Sequence, residues 1–259
     1  MARLCSAAVP AWGAEVVSSN IVGYEKVILN VGYNMVGVQF RQVGGGNLDL
    51  STAGVLEDSF AGFDDEGAFA NELQVWNGVN GYTVYGWSGT SGTDVLEDPT
   101  LDNQWVDLDL AAITEEAKAG SGFWIKAATA GDITISGEVP TDATTSQDLT
   151  SGFNVVANPY PGAVPVSKFG TLDATFEGFD EEGTFATELQ VWNGVNGYTV
   201  YGWSGTSGTD VLEDPSVDGK WVDLDLAVPD DTVTIPFGTA VWIKTPHAGT
   251  ITFTSPVAE

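Results

Sequence analysis

One block of this chain, ELQVWNGVNGYTVYGWSGTSGTDVLEDP at Glu72–Pro99, returns unchanged at Glu188–Pro215. The spacing is 116 residues (188 minus 72), far longer than a solenoid or propeller unit and about the length of a whole small domain. The chain therefore reads as an internal duplication, two homologous domains in tandem. The repeat weakens outward. Gly62-Phe63-Asp64-Asp65-Glu66-Gly67 matches Gly178-Phe179-Asp180-Glu181-Glu182-Gly183, and Trp105–Leu110 matches Trp221–Leu226. Beyond that only a skeleton persists: Gly32-Tyr33-Asn34-Met35-Val36 with Gly152-Phe153-Asn154-Val155-Val156, and Phe123-Trp124-Ile125-Lys126 with Val241-Trp242-Ile243-Lys244. Drift that keeps apolar and glycine positions is what a core requires. A block that keeps its exposed residues as well has two readings, a recent local duplication or one surface presented twice for the same task.

The unchanged block has the pattern of a hairpin. Glu72–Asn77 and Tyr82–Trp87 are β-rich runs joined by Gly78-Val79-Asn80-Gly81. A period of two places Leu73, Val75, Tyr82 and Val84 on an aliphatic, core-side face. Trp76, Tyr85 and Trp87 then form an aromatic strip on the other. Elsewhere Val27–Leu29 and Asn34–Gln39 read as strands around a turn at Val31-Gly32-Tyr33, and Leu48–Phe60 as a short helix or ordered loop. Phe63–Phe69 reads as an acidic loop. Trp105–Leu110 alternates Trp/Asp/Asp with Val/Leu/Leu, the pattern of a half-buried strand with an acidic outer face. Gly122–Lys126 and Asp132–Ser136 close the first domain, Glu138–Gln147 is a polar linker, and Thr250–Thr254 is the last strand. The expected fold is all-β, two tandem β-sandwich or small-barrel domains over residues 15–140 and 141–259. Residues 1–14, MARLCSAAVPAWGA, read as an export leader with a short apolar region.

Charge excludes several partners. With 36 acidic residues against 8 basic ones the net charge is −28, a surface that repels phosphate backbones and anionic headgroups. Neither nucleic acid nor membrane insertion is expected, since no segment is long and apolar enough to span a bilayer. Cys5 is the single cysteine, so neither an intramolecular disulfide nor a cysteine metal cluster can form. His247 is the single histidine and is replaced by Thr129 in the other copy, which removes histidine-based triads and zinc sites. Glu72, Asp94, Glu97 and Asp98 recur in both copies as carboxylates for glycoside hydrolysis, but acids are too abundant here to discriminate.

The ordered set of leader, SNIVGY opening, GYNMVG, VWNG..YT hairpin and GFWIK strand resembles secreted, uncharacterised β-domain proteins of the lineages around Verrucomicrobia and Lentisphaerae. That resemblance implies export and an all-β fold, and it brings no catalytic residues. Two acidic clusters per copy are candidate calcium ligands: Asp64, Asp65, Glu66, Asp94, Glu97 and Asp98, with Asp180, Glu181, Glu182, Asp210, Glu213 and Asp214. A solvated acidic face explains the same residues. Trp76, Tyr85 and Trp87, with Trp192, Tyr201 and Trp203, are candidate platforms for sugar rings, and interior packing is the competing explanation. Two functions without catalysis are thus expected. The first is an extracellular or cell-surface structural subunit that polymerises with itself, aided by calcium, with residues 15–27 as a strand-donating arm. The second is a tandem carbohydrate-binding module on the aromatic faces.

Overall fold

The described strands pair antiparallel throughout, in keeping with the density of Val, Thr, Trp, Tyr and Gly. A computed structural model of the chain describes residues 21–51, 55–56, 60–63, 67–90, 98–179, 183–205 and 215–256. The first half carries β1 (Val22–Leu29), β2 (Gly32–Gly37), β3 (Leu48–Asp49), β4 (Val55–Leu56) and β5 (Glu72–Trp76). It continues with β6 (Tyr82–Trp87), β7 (Trp105–Val106), β8 (Glu116–Ala117), β9 (Gly122–Ala127) and β10 (Gly131–Glu138). The second half repeats the series with β11 (Thr144–Leu149), β12 (Gly152–Ala157), β13 (Val164–Pro165), β14 (Thr171–Leu172) and β15 (Glu188–Trp192). It ends with β16 (Tyr198–Trp203), β17 (Trp221–Val222), β18 (Thr234–Ile235), β19 (Ala240–Thr245) and β20 (Gly249–Thr254). Among the described residues the only helical element is one 3-10 turn, Val166–Lys168, and none is long and apolar enough to cross a membrane.

Each half has the same topology. A five-stranded sheet runs β2-β9-β5-β6-β7 in one and β12-β19-β15-β16-β17 in the other. A three-stranded sheet, β1-β10-β4 or β11-β20-β14, lies against it, and a two-stranded ribbon, β3-β8 or β13-β18, completes the set. The result is sandwich-like, with one apolar core per half. Leu29, Val36, Leu73, Trp87, Trp105, Phe123 and Ile133 fill the first. Leu149, Val156, Leu189, Trp203, Trp221, Val241 and Ile251 fill the second. Paired indoles, Trp87 with Trp105 and Trp203 with Trp221, pack edge to face at 5.2 and 5.1 Å.

The conserved skeleton has local causes. Asn34 Oδ1 accepts from Asn30 N–H, and its Nδ2 donates to Asn30 O and Gly32 O. Asn154 repeats this at Thr150 and Gly152. Gly32 and Gly152 sit at φ of +94° and +97°, a region open to glycine, so the Gly-x-Asn pattern is the turn into β2 and β12.

Several sequence expectations are corrected. The stretch Val22–Val27 of the supposed arm is part of β1 and pairs along its length with β10, so it is not free to be donated; residues 15–20 lie outside the described set. Within Leu48–Phe60, expected as a short helix or ordered loop, the described residues carry the short strands β3 and β4, and residues 52–54 and 57–59 lie outside the described set. Trp105–Leu110 is strand for two residues only. Asp107 Oδ1 then accepts from Asp109 and Ala111 N–H, and Leu110 takes φ +63°, a turn that defeats the alternation. The linker is shorter than expected, because Thr144–Gln147 already pairs with β20. The leader, residues 1–14, lies outside the described residues.

Candidate functional site: an aromatic seam between the halves

The hairpin register decides which aromatic residues meet solvent. Trp76 pairs with Tyr82, Leu73 with Tyr85 and Glu72 with Gly86. Five residues connect the strands, and Asn77 Oδ1 accepts from the N–H groups of Val79, Asn80 and Gly81. This odd connection puts odd-numbered residues opposite odd-numbered ones. Leu73, Val75, Tyr85 and Trp87 therefore share the core face, and Gln74, Trp76, Tyr82 and Val84 share the opposite one. The second copy repeats the arrangement residue for residue.

This separates the aromatic strip read from the sequence. Trp87 and Trp203 are buried in the cores, and Tyr85 and Tyr201 are nearly so. Burial raises both phenol pKa values, helped at Tyr85 by the Glu115 carboxylate that accepts its hydroxyl at 2.6 Å. These four residues present no platform to a ligand. Trp76 and Trp192 remain on the outer face, half-buried, where the two five-stranded sheets meet.

The contact between the halves is reciprocal. Trp76 Nε1 donates to Phe153 O at 2.8 Å, and Trp192 Nε1 donates to Tyr33 O at 3.0 Å. Trp76 packs edge-on against Trp242 at 5.2 Å, and Trp192 against Trp124 at 5.5 Å. Met35, Ala157 and Ala240 fill the space between. Backbone bonds cross as well, from Gly37 N–H to Gly238 O at 2.8 Å and from Ala157 N–H to Gly120 O at 2.5 Å. Each half thus supplies an indole to the other's sheet, which locks the pair by an exchange of equivalent groups.

Two matching clefts open beside the seam. The first, about 250 Å³, is lined by Tyr33, Gln74, Tyr82 and Trp124 with Trp192 and Tyr198 of the other half. The second, about 270 Å³, is lined by Phe153, Gln190, Tyr198 and Trp242 with Trp76 and Tyr82. Gln74 Nε2 donates to Glu72 at 2.7 Å, and Glu72 is ion-paired with Lys126 at 2.5 Å. Gln190, Glu188 and Lys244 repeat the chain. One of the two Nε2 hydrogens is thereby committed, and Oε1 with the second N–H is what each glutamine offers to a ligand hydroxyl. The recurring carboxylates Glu72 and Glu188 are therefore held by lysine as props for the glutamines.

Of the proposed calcium ligands, only Asp98 falls among the described residues. It is exposed, and its carboxylate accepts from Thr100 Oγ1 and N–H, which lowers its pKa. Asp64, Asp65, Glu66, Asp94, Glu97, Asp180, Glu181, Glu182, Asp210, Glu213 and Asp214 lie outside them. Among the described residues no three acidic, histidine or cysteine side chains gather as a metal-sized group.

Sequence reading missed Tyr33, Gln74, Tyr82, Trp124, Phe153, Gln190, Tyr198 and Trp242 as site residues. The signal was present in the persistence of the Gly-aromatic-Asn and aromatic-Ile-Lys motifs, which reads equally as core. No family model matches the chain, and neither the curated proteins nor the solved structures contain a significant match to it.

Proposed function

We propose that the protein is a non-enzymatic carbohydrate-binding protein of the cell exterior, with its ligand seated at the aromatic seam. The observation that carries this reading is the pair of matching clefts, each built of five aromatic rings and one glutamine amide. Ring faces shed water readily against the apolar C–H faces of a pyranose, and an amide oxygen orients a hydroxyl. The unchanged repeat supports the reading, because it delivers Gln74, Trp76 and Tyr82 twice. Affinity electrophoresis through gels containing neutral polysaccharides tests it. Retardation that Trp76→Ala or Trp192→Ala abolishes is expected, and unretarded migration through every gel contradicts the proposal.

A second reading, a self-associating structural subunit, is favoured by β1. Its outward residues Val22, Tyr24 and Ile28 are all exposed, on a strand at the edge of its sheet. Calcium enters this reading by screening the acidic charge on assembly. Sedimentation velocity across a concentration series, with calcium and then with a chelator, should show growth of the sedimentation coefficient with concentration. A constant monomer value in both conditions contradicts it.

A further inference from the structure

We infer that the two clefts work as one site, filled by a single linear, uncharged glycan running across Tyr82 and Tyr198. The inference rests on the carbohydrate reading above and adds the ligand class and its mode of binding.

Size is the first argument. Pockets that hold a small ligand run from roughly 300 to 1,000 Å³. At about 250 and 270 Å³ each cleft falls short alone, and the two joined lie within that range. Continuity is the second. Tyr82 and Tyr198 line both clefts, so the same two rings form the shared wall, and each is about two-fifths exposed (40% and 39%). Burial raises the Tyr82 pKa, and the neighbouring Tyr198 adds to the shift, as two phenols in one confined space require.

Charge and shape select the ligand. A protein of net charge −28 repels uronic acids and sulfated sugars, which leaves neutral chains. Equatorial linkages hold the pyranoses of a chain extended and flat, and sugars with equatorial hydroxyls leave both ring faces as C–H surfaces, the form that rings walling a shallow cleft can cover. Direction comes from one difference. Of the six positions lining each cleft, five are the same residue type in both, and the sixth is Tyr33 in one and Phe153 in the other. A glycan chain has unlike ends, and the Tyr33 hydroxyl is the group that distinguishes them.

Calorimetric titration of the full chain with cellotriose and cellohexaose tests the inference. One hexaose per protein is expected, bound at least tenfold tighter than the trimer. Tyr82→Ala and Tyr198→Ala should each bring hexaose affinity down to that of the trimer, with unfolding midpoints near wild type because both rings are partly exposed. Two hexaose molecules per protein with no gain over the trimer would overturn the inference and leave the carbohydrate reading standing. Absence of binding by cellohexaose, xylohexaose and mannohexaose alike would overturn both. Galacturonate hexamer bound as tightly as cellohexaose would overturn the uncharged-ligand assignment.

Discussion

The two halves share strand order, register and the seam exchange, yet they are not copies, and four of the differences are structural. At the seam the first half has Gly37 and Gly122 where the second has Ala157 and Ala240. A methyl on Gly37 would sit 2.7 Å from Ala157 Cβ, and one on Gly122 would meet Ala240 Cβ and Val36 O. Only one partner at each contact can carry a side chain. The strand β1 carries Tyr24, Lys26 and Ile28 outward where β11 carries Thr144, Ser146 and Asp148. Buried Glu25 stands where the second half has Thr145. Phe237, packed on the first core, corresponds to Ala119. Equivalence is thus retained in the rings that face a shared cleft and given up where two backbones compete for the same space. A tandem repeat that packs on itself must break its own symmetry at close approach.

The largest effect should come from removing that asymmetry. Gly122→Ala should destabilise the protein by about 3 kcal/mol through overpacking, and Ala240→Gly in the same chain should recover only the part due to the Ala240 methyl, because the contact with Val36 O remains. Urea denaturation of the single and double variants measures both. Next come Trp76→Ala and Trp192→Ala, each costing about 2 kcal/mol through a half-buried ring and an indole hydrogen bond. If the exchange is truly reciprocal the two losses match. Unequal losses would show that one half carries the seam.

Glu25 offers a smaller effect with a pH signature. Glu25 is 5% exposed and its carboxyl packs beside Gly238 of the other half; with the Gln39 amide assigned so that its nitrogen faces Glu25, that nitrogen donates to Oε2 at 2.8 Å. Lys26 points to the opposite face and pairs with Asp132, so it gives no countercharge. Burial raises the Glu25 pKa to about 7 from 4.5. The folded state therefore binds more protons than the unfolded state between those values, and stability falls as pH rises through that window. Glu25→Gln should stabilise the protein by about 1–2 kcal/mol at pH 8 and by almost nothing below pH 4.5. Thermal melts across that range check the sign. Smallest of all, converting Tyr24 and Ile28 to the Thr and Asp of β11 should change stability by less than about 0.5 kcal/mol, while removing concentration-dependent sedimentation.

Much of the fold was legible in the sequence, since the repeat, the central hairpin and β9, β10 and β20 stand out as period-two runs between glycines. The faces of the hairpin were not. They depend on whether the turn holds an odd or even number of residues, and Asn77 enters the turn as its hydrogen-bond acceptor instead of ending the strand. Trp105–Leu110 misled for a similar reason, because Asp107 closes a turn that apolar alternation does not reveal. The site was hidden for a different cause. Trp76 and Trp87 look alike in a strand pattern, and only the packing of one half on the other leaves the first at a cleft and the second in a core.

The central claim, that function resides at the seam and not on the core-side hairpin face, is tested most directly by following indole N–H resonances during titration with cellohexaose. The signals of Trp76, Trp124, Trp192 and Trp242 should move together, while those of Trp87, Trp105, Trp203 and Trp221 stay in place. Movement of the core indoles with the seam indoles unchanged, or no movement at all, would contradict the account.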